Sequence, residues 1–142
     1  YEGSTFPHCM AAKAEVALGF PGALVHRDVS STAQYEAAAE AFGALKGLLP
    51  LLRDAQVAPE PMLEVEPPGW GRSFVGPGGK RGIVVVVNDD TESAQSVHCH
   101  SARPIAYRDL RTGNTIDCAA DGTLSVQLSP GDGTVLEPVS GP

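Results

Sequence analysis

The chain has 142 residues, enough for one ordinary domain or two small ones, and its hydrophobic fraction of 42% permits a sizeable core. Its formal net charge of −7, without a basic stripe, argues against nucleic acid and anionic membrane surfaces as partners. The longest apolar run, residues 83–87, is much too short to span a membrane, so no membrane segment is expected.

The first 55 residues have a helical pattern interrupted by one strand. Apolar residues recur at three- and four-residue spacings over 6–18, which predicts a helix, and 22–26 has the composition of a short buried strand. The segment 35–52 is the clearest predicted helix, with one apolar stripe that should face a core. The stripe consists of Tyr35, Ala38, Phe42, Leu45, Leu49 and Leu52. We therefore predict a helix-strand-helix region over 1–55, followed by a linker over 56–61.

From residue 62 the apolar period changes to two, which is typical of strands. Most of the sixteen glycines and twelve prolines follow residue 55, as expected for short strands joined by many turns. Residues 82–88 form a continuous apolar strand, buried on both faces or central in a sheet. Residues 124–128 alternate, and the preceding Asp121-Gly122 pair signals a hairpin. We predict that 62–142 forms an antiparallel β-sandwich of about seven strands.

Two stretches resemble parts of the (β/α)8-barrel glycoside hydrolases. The stretch GALVHRDVSSTAQYEAAAEAFGALKGLLPLLRDA resembles the eighth strand and eighth helix of such a barrel. The stretches GIVVVVNDDTESAQSVHCH, AYRDLRTGNTI and GTLSVQLSPGDGTVLEPV are similar to the small antiparallel β-domain that commonly follows it. The resemblance implies an α+β chain: the terminal βα unit of an incomplete (β/α)8 barrel, then a β-sandwich. A barrel needs eight strands, so another chain or a missing upstream segment would complete it.

The function that this resemblance implies is that of a C-terminal fragment or processed subunit of a secreted, carbohydrate-active protein. The β-sandwich would be its stabilising or assembly domain, and the chain would not be catalytically complete. The chain begins with Tyr1, which fits removal of an upstream part. One alternative is a non-catalytic structural or carbohydrate-binding module of an extracellular surface assembly. Another is a self-contained α+β binding domain.

The resemblance also assigns candidate site residues in the first 55 residues. Retaining glycosidases use two carboxylates about 5 Å apart. Glu2 stands before the first predicted helix, where the resemblance places the catalytic nucleophile, and its acid partner would lie outside this sequence. A solvated terminal glutamate is the alternative. His26, Arg27 and Asp28 follow the predicted eighth strand and would bind sugar hydroxyls, although Asp28 is equally suited to cap the next helix.

The second region offers fewer candidates for binding chemistry. Trp70, with Arg72 close by, would stack on a sugar ring or else cover an edge of the sandwich. His98 and His100 share one face of a predicted strand, but a metal site needs a third ligand that no neighbouring residue supplies. We therefore expect no metal and no cofactor.

Three cysteines are present, Cys9, Cys99 and Cys118. An odd number in an extracellular chain favours one disulfide and one remaining thiol, and Cys99 with Cys118 is the pair that the strand pattern permits. Three reduced, buried cysteines are an equally good interpretation, because cysteine often serves as a small core residue.

Overall fold

The computed structural model describes Gly47 and residues 55–79, 82–90 and 92–139. These residues form nine strands and one short 3-10 turn, Pro77–Gly79. The strands are β1 (Gln56–Val57), β2 (Leu63–Val65), β3 (Gly69–Val75), β4 (Gly82–Asn88), β5 (Gln95–Ser101), β6 (Tyr107–Asp109), β7 (Thr115–Ile116), β8 (Thr123–Leu128) and β9 (Gly133–Pro138).

The strands make two antiparallel sheets. Sheet A has six strands in the order β1-β3-β4-β9-β6-β7, and sheet B has three in the order β2-β5-β8. Strand β4, the continuous apolar run, pairs with β3 on one side and β9 on the other, so its predicted central position is confirmed. The alternating strand predicted at 124–128 is also present, as the greater part of β8.

The predicted α+β class is wrong for the part of the chain that the structure describes. Residues 55–139, apart from the few positions not described, contain strands, turns and loops but no α-helix, and all their sheet pairings are antiparallel. A terminal βα unit of a (β/α)8 barrel does not fit this architecture, whereas the antiparallel sandwich does. The predicted elements 6–18, 22–26 and 35–52 lie outside the described residues, except for Gly47.

The main core lies between the two sheets. Every second side chain of a strand points to the same face, so sheets with one apolar face each can bury both faces against one another. Val84, Val86 and Leu136 of sheet A are all 0% exposed. They belong to one cluster with the buried apolar side chains of sheet B, which are Leu63, Val97, Cys99, Leu124, Val126 and Leu128.

Glycines in β3 let the edge strand of sheet B approach sheet A closely. A Cβ built on Gly71 would lie 2.5 Å from Cγ2 of Val65 and 3.0 Å from the backbone oxygen of Val85. At Gly69, a Cβ would overlap Cγ1 of Val97. Side chains at these two positions would therefore strain the packing of β2 and β5 against β3 at this end of the sandwich.

Buried polar side chains join the loops at the ends of the strands. Asn88, fully buried at the end of β4, donates its side-chain amide to the backbone oxygens of Ser93 (2.9 Å) and Ser129 (3.1 Å). Its Oδ1 accepts the backbone N–H of Asp90 at 3.0 Å. Among the described residues, no buried side-chain nitrogen or oxygen lacks a partner. These loops are therefore held by specific bonds that apolar residues could not replace.

Candidate docking surface

The face of sheet A that points away from sheet B carries a second apolar cluster. In the register of the sheet, Phe74 lies opposite Ile83, and Val85 lies opposite Arg72 on one side and Val135 on the other. We call this surface the outer face of sheet A. Its apolar members in the described chain are Val57, Trp70, Phe74, Ile83, Val85, Val87, Leu110 and Val135, and its charged members are Arg72, Arg108 and Glu137.

The centre of the outer face is as dry as the interior of the sandwich. Phe74 is 2% exposed, and Ile83 and Val85 are 3% exposed, although none of them points into the space between the sheets. Leu110, which directly follows β6, and Ala55, which directly precedes β1, are partly buried against these three side chains. An antiparallel sheet that packs on one side commonly has a solvated face on the other. The centre of the outer face of sheet A therefore differs from the solvated face that such a sheet commonly has.

The outer face of sheet B has the opposite character and shows what a solvated face of this molecule looks like. His98 Nδ1 and Ser125 Oγ are 2.9 Å apart, and Gln127 Nε2 donates to Ser96 Oγ at 2.7 Å. All seven side chains of this face are exposed and polar: Glu64, Ser96, His98, His100, Thr123, Ser125 and Gln127. Within the described residues, the outer face of sheet A is therefore apolar and buried at its centre, whereas the outer face of sheet B is polar throughout.

Trp70 lies at one end of the outer face of sheet A, opposite Val87. It is 36% exposed, and the Arg72 guanidinium carbon lies 5.9 Å from the centroid of its ring. This distance suits a cation–π contact. Arg72 therefore occupies one side of the indole, and a sugar ring would have to stack on the other side.

The acidic side chains near the end of sheet A are occupied by structural bonds. Arg111 Nη1 binds both carboxylate oxygens of Asp132 at 2.7 Å and the Gly133 backbone oxygen at 2.9 Å. Asp109 Oδ1 accepts the Thr134 hydroxyl at 2.7 Å and the Arg111 backbone N–H at 2.8 Å. Asp132 is 4% exposed and Asp109 is 8% exposed, so burial makes these partners necessary. This arrangement holds loops together and has no carboxylate free for acid–base chemistry.

Metal binding has no support within the described chain. No group of three or more His, Cys, Asp and Glu side chains in those residues could hold a metal ion. His98 and His100 are exposed on the polar face of sheet B, and His98 bonds to a serine hydroxyl. They do lie on one face, as the alternating pattern requires.

Cys99 and Cys118 are free thiols in the structure, and both pack in the core between the sheets. Burial, with a smaller contribution from the negative charge of Glu66, raises the pKa of Cys99 to about 11. Burial also raises the pKa of Cys118, and the charge of Asp121 adds to this effect. A thiol must ionise to act as a nucleophile, and the raised pKa of Cys99 disfavours that ionisation at neutral pH.

The other predicted site residues lie outside the described part of the chain. Glu2, His26, Arg27, Asp28 and Cys9 all precede residue 55, and their roles stay predictions. Trp70 is the only member of the predicted sugar-binding set that the structure describes, and it belongs to the outer face of sheet A.

The sequence pattern does not by itself reveal the outer face of sheet A as a surface. The apolar run at 83–87 was the available signal, because an uninterrupted apolar strand needs cover on both of its faces. Its partner strand β3 was not predicted, since Gly69 and Gly71 interrupt the apolar pattern there.

Comparison with known proteins identifies no family for the chain. No protein-family model matches the chain, and no curated protein matches its sequence. Within the described residues, no helix has the length and apolar character needed to cross a membrane. The described residues form an antiparallel β-sandwich in which the centre of the outer face of sheet A is also buried.

Proposed function

We propose that the described sandwich is a non-catalytic stabilising and assembly domain of a carbohydrate-active, glycoside-hydrolase-like protein. The burial of Phe74, Ile83 and Val85 on the outer face of sheet A carries the proposal. A domain that acts by packing needs a face of this kind, and a core between its sheets that is complete without it. The link to carbohydrates comes from the resemblance of residues 82–139 to the β-domain that follows glycoside hydrolase barrels.

The chemistry of the described residues supports a packing role over a catalytic one. Asp109 and Asp132 are held by Thr134 and Arg111, and burial suppresses ionisation of the Cys99 thiol. The catalytic carboxylates would then be supplied by a different part of the protein or by a partner chain.

Mass spectrometry of the native protein under non-denaturing conditions, without and then with reductant, tests this role. We expect the chain to travel with a larger polypeptide that hydrolyses glycosidic bonds. A lone, folded species of about 14.7 kDa with no associated hydrolase would contradict the proposal. The measurement with reductant shows whether a cysteine holds the complex together.

A second function, carbohydrate binding, is favoured by Trp70. Its indole is 36% exposed beside Arg72, and aromatic rings with a polar neighbour are common in binding surfaces. Retention on immobilised polysaccharides should fall in Trp70→Ala if the domain binds sugars there. Val57→Ala is the matched control, because Val57 is the other large hydrophobic residue exposed in the described chain, at 51%. Equal retention of both variants and the parent would eliminate this function.

A further inference from the structure

We propose that the occupant of the outer face of sheet A is the apolar stripe of residues 35–52 of this same chain, and chiefly its last members, Leu45, Leu49 and Leu52. This assignment rests on the proposed packing role and names the partner of that surface. Neither a second copy nor a separate protein is then needed to cover the sheet.

The path of the chain supports this assignment. Ala55 packs against the cluster formed by Phe74, Ile83 and Val85, and β1 begins at the next residue, at the edge of sheet A. The chain therefore enters the sheet directly from its outer face. Leu52 is three residues before Ala55, so even a fully extended backbone keeps it within about 10 Å of a residue that touches the cluster.

The length of the segment also matches the width of the surface. The outer face runs across β1, β3, β4 and β9, which at about 4.8 Å per strand is a width of about 14 Å. Ten residues, from Leu45 to Asp54, span about 15 Å even at the 1.5 Å rise per residue of the most compact common conformation. The segment is therefore long enough to reach Val135 on β9.

Proximity along the chain favours an occupant from the same chain over a second copy. The apolar stripe that precedes Ala55 is the nearest stretch of sequence with enough apolar side chains to cover Phe74, Ile83 and Val85. Ala55 itself packs against these three residues, so the stripe is tethered beside them and has a higher effective concentration there than a second copy would have.

Thiol labelling of the full-length chain tests the assignment. Val85→Cys places a reactive group at the centre of the outer face, and the labelling of each cysteine by N-ethylmaleimide is followed by peptide mass spectrometry. In this variant the introduced thiol should be protected. Adding Leu49→Asp should raise its labelling rate at least about tenfold, because a carboxylate is not tolerated against an apolar sheet and the cover opens.

Two controls are built into the chain. Gly47 belongs to the same segment but is exposed, with open space where a Cβ would be, so Gly47→Asp should leave the labelling rate unchanged. Cys99 lies between the sheets at 3% exposure and reports whether the sandwich itself has opened. If Cys99 also becomes reactive in Leu49→Asp, the milder Leu49→Ala replaces it, and a rise of at least about threefold at the introduced thiol alone is then expected.

The outcomes separate this assignment from the packing role on which it rests. If the introduced thiol stays protected in Leu49→Asp and Leu49→Ala, the segment is not the occupant, although the face is still covered. Protection that disappears on dilution identifies a second copy instead and overturns the assignment. If the introduced thiol reacts freely in Val85→Cys alone, the outer face is bare, and the packing role fails together with the assignment.

Discussion

Two adjacent valines on β4 allow a direct measurement of how completely the outer face of sheet A is covered in solution. Val86 is 0% exposed and points into the core between the sheets, whereas Val85 is 3% exposed and points to the outer face. Replacing either by alanine removes two buried carbon atoms, worth about 0.8 kcal/mol each by transfer, and leaves a partly relaxed cavity. We expect Val85→Ala and Val86→Ala each to lower the free energy of unfolding by about 2–3 kcal/mol.

Val85→Ala and Val86→Ala remove the same two carbon atoms and differ only in the face of sheet A that loses them. Both residues are valines in the middle of the same central strand, so any loss of strand propensity affects both variants alike. Urea unfolding of the full-length chain, followed by the fluorescence of Trp70, gives the midpoint and the slope for each variant. The reasoning would be refuted if Val86→Ala cost its full 2–3 kcal/mol while Val85→Ala cost less than about half as much, since a bare face loses little when a methyl group is removed.

Two further variants test the closure of the sandwich and one of its loops. Gly71→Ala should lower the free energy of unfolding by about 1–3 kcal/mol, because its Cβ would lie 2.5 Å from Val65. Gly47→Ala is the control, because a Cβ at position 47 meets open space. Equal unfolding midpoints for the two variants would contradict the steric argument. Asp90 accepts backbone bonds from Glu92 and Ser93 at 2.9 Å, and the bond from Glu92 contributes most to lowering its pKa below the ordinary 3.8. The stabilisation from its charge is therefore complete above pH 3.8 and is lost as the pH falls through the lower, folded-state pKa. Asp90→Asn should have a lower unfolding midpoint than the parent at pH 7, and the difference should shrink below pH 4; a difference that does not vary with pH would count against this cause.

The local sequence determined much of the β region, because the signals there depend on neighbours along the chain. The alternation of Leu124, Val126 and Leu128 with polar residues fixed the inward face of β8. At Asp121-Gly122 the turn follows from local chemistry, since Gly122 has a φ of 90° that other residues rarely adopt. The central position of β4 followed from its uninterrupted apolar composition.

Other features depended on contacts between residues far apart in sequence. β3 is paired along its whole length with β4, yet its inward positions include Gly69 and Gly71 because Val65 and Val97 need that space. A search for apolar alternation passes over such a strand, since the missing side chains are explained only by what packs there. β1 begins within the predicted linker for a similar reason: its two residues become a strand only by pairing with β3.

The outer face of sheet A could be predicted only in part from the sequence. From the sequence alone, the run at 83–87 indicated that β4 is apolar on both faces. Only the tertiary structure placed Phe74 and Val135 beside it, from strands before and after it in the chain, and turned one apolar strand into a surface. Strand order and register are set by the burial of whole faces, which is a property of the assembled sheets and not of any one segment.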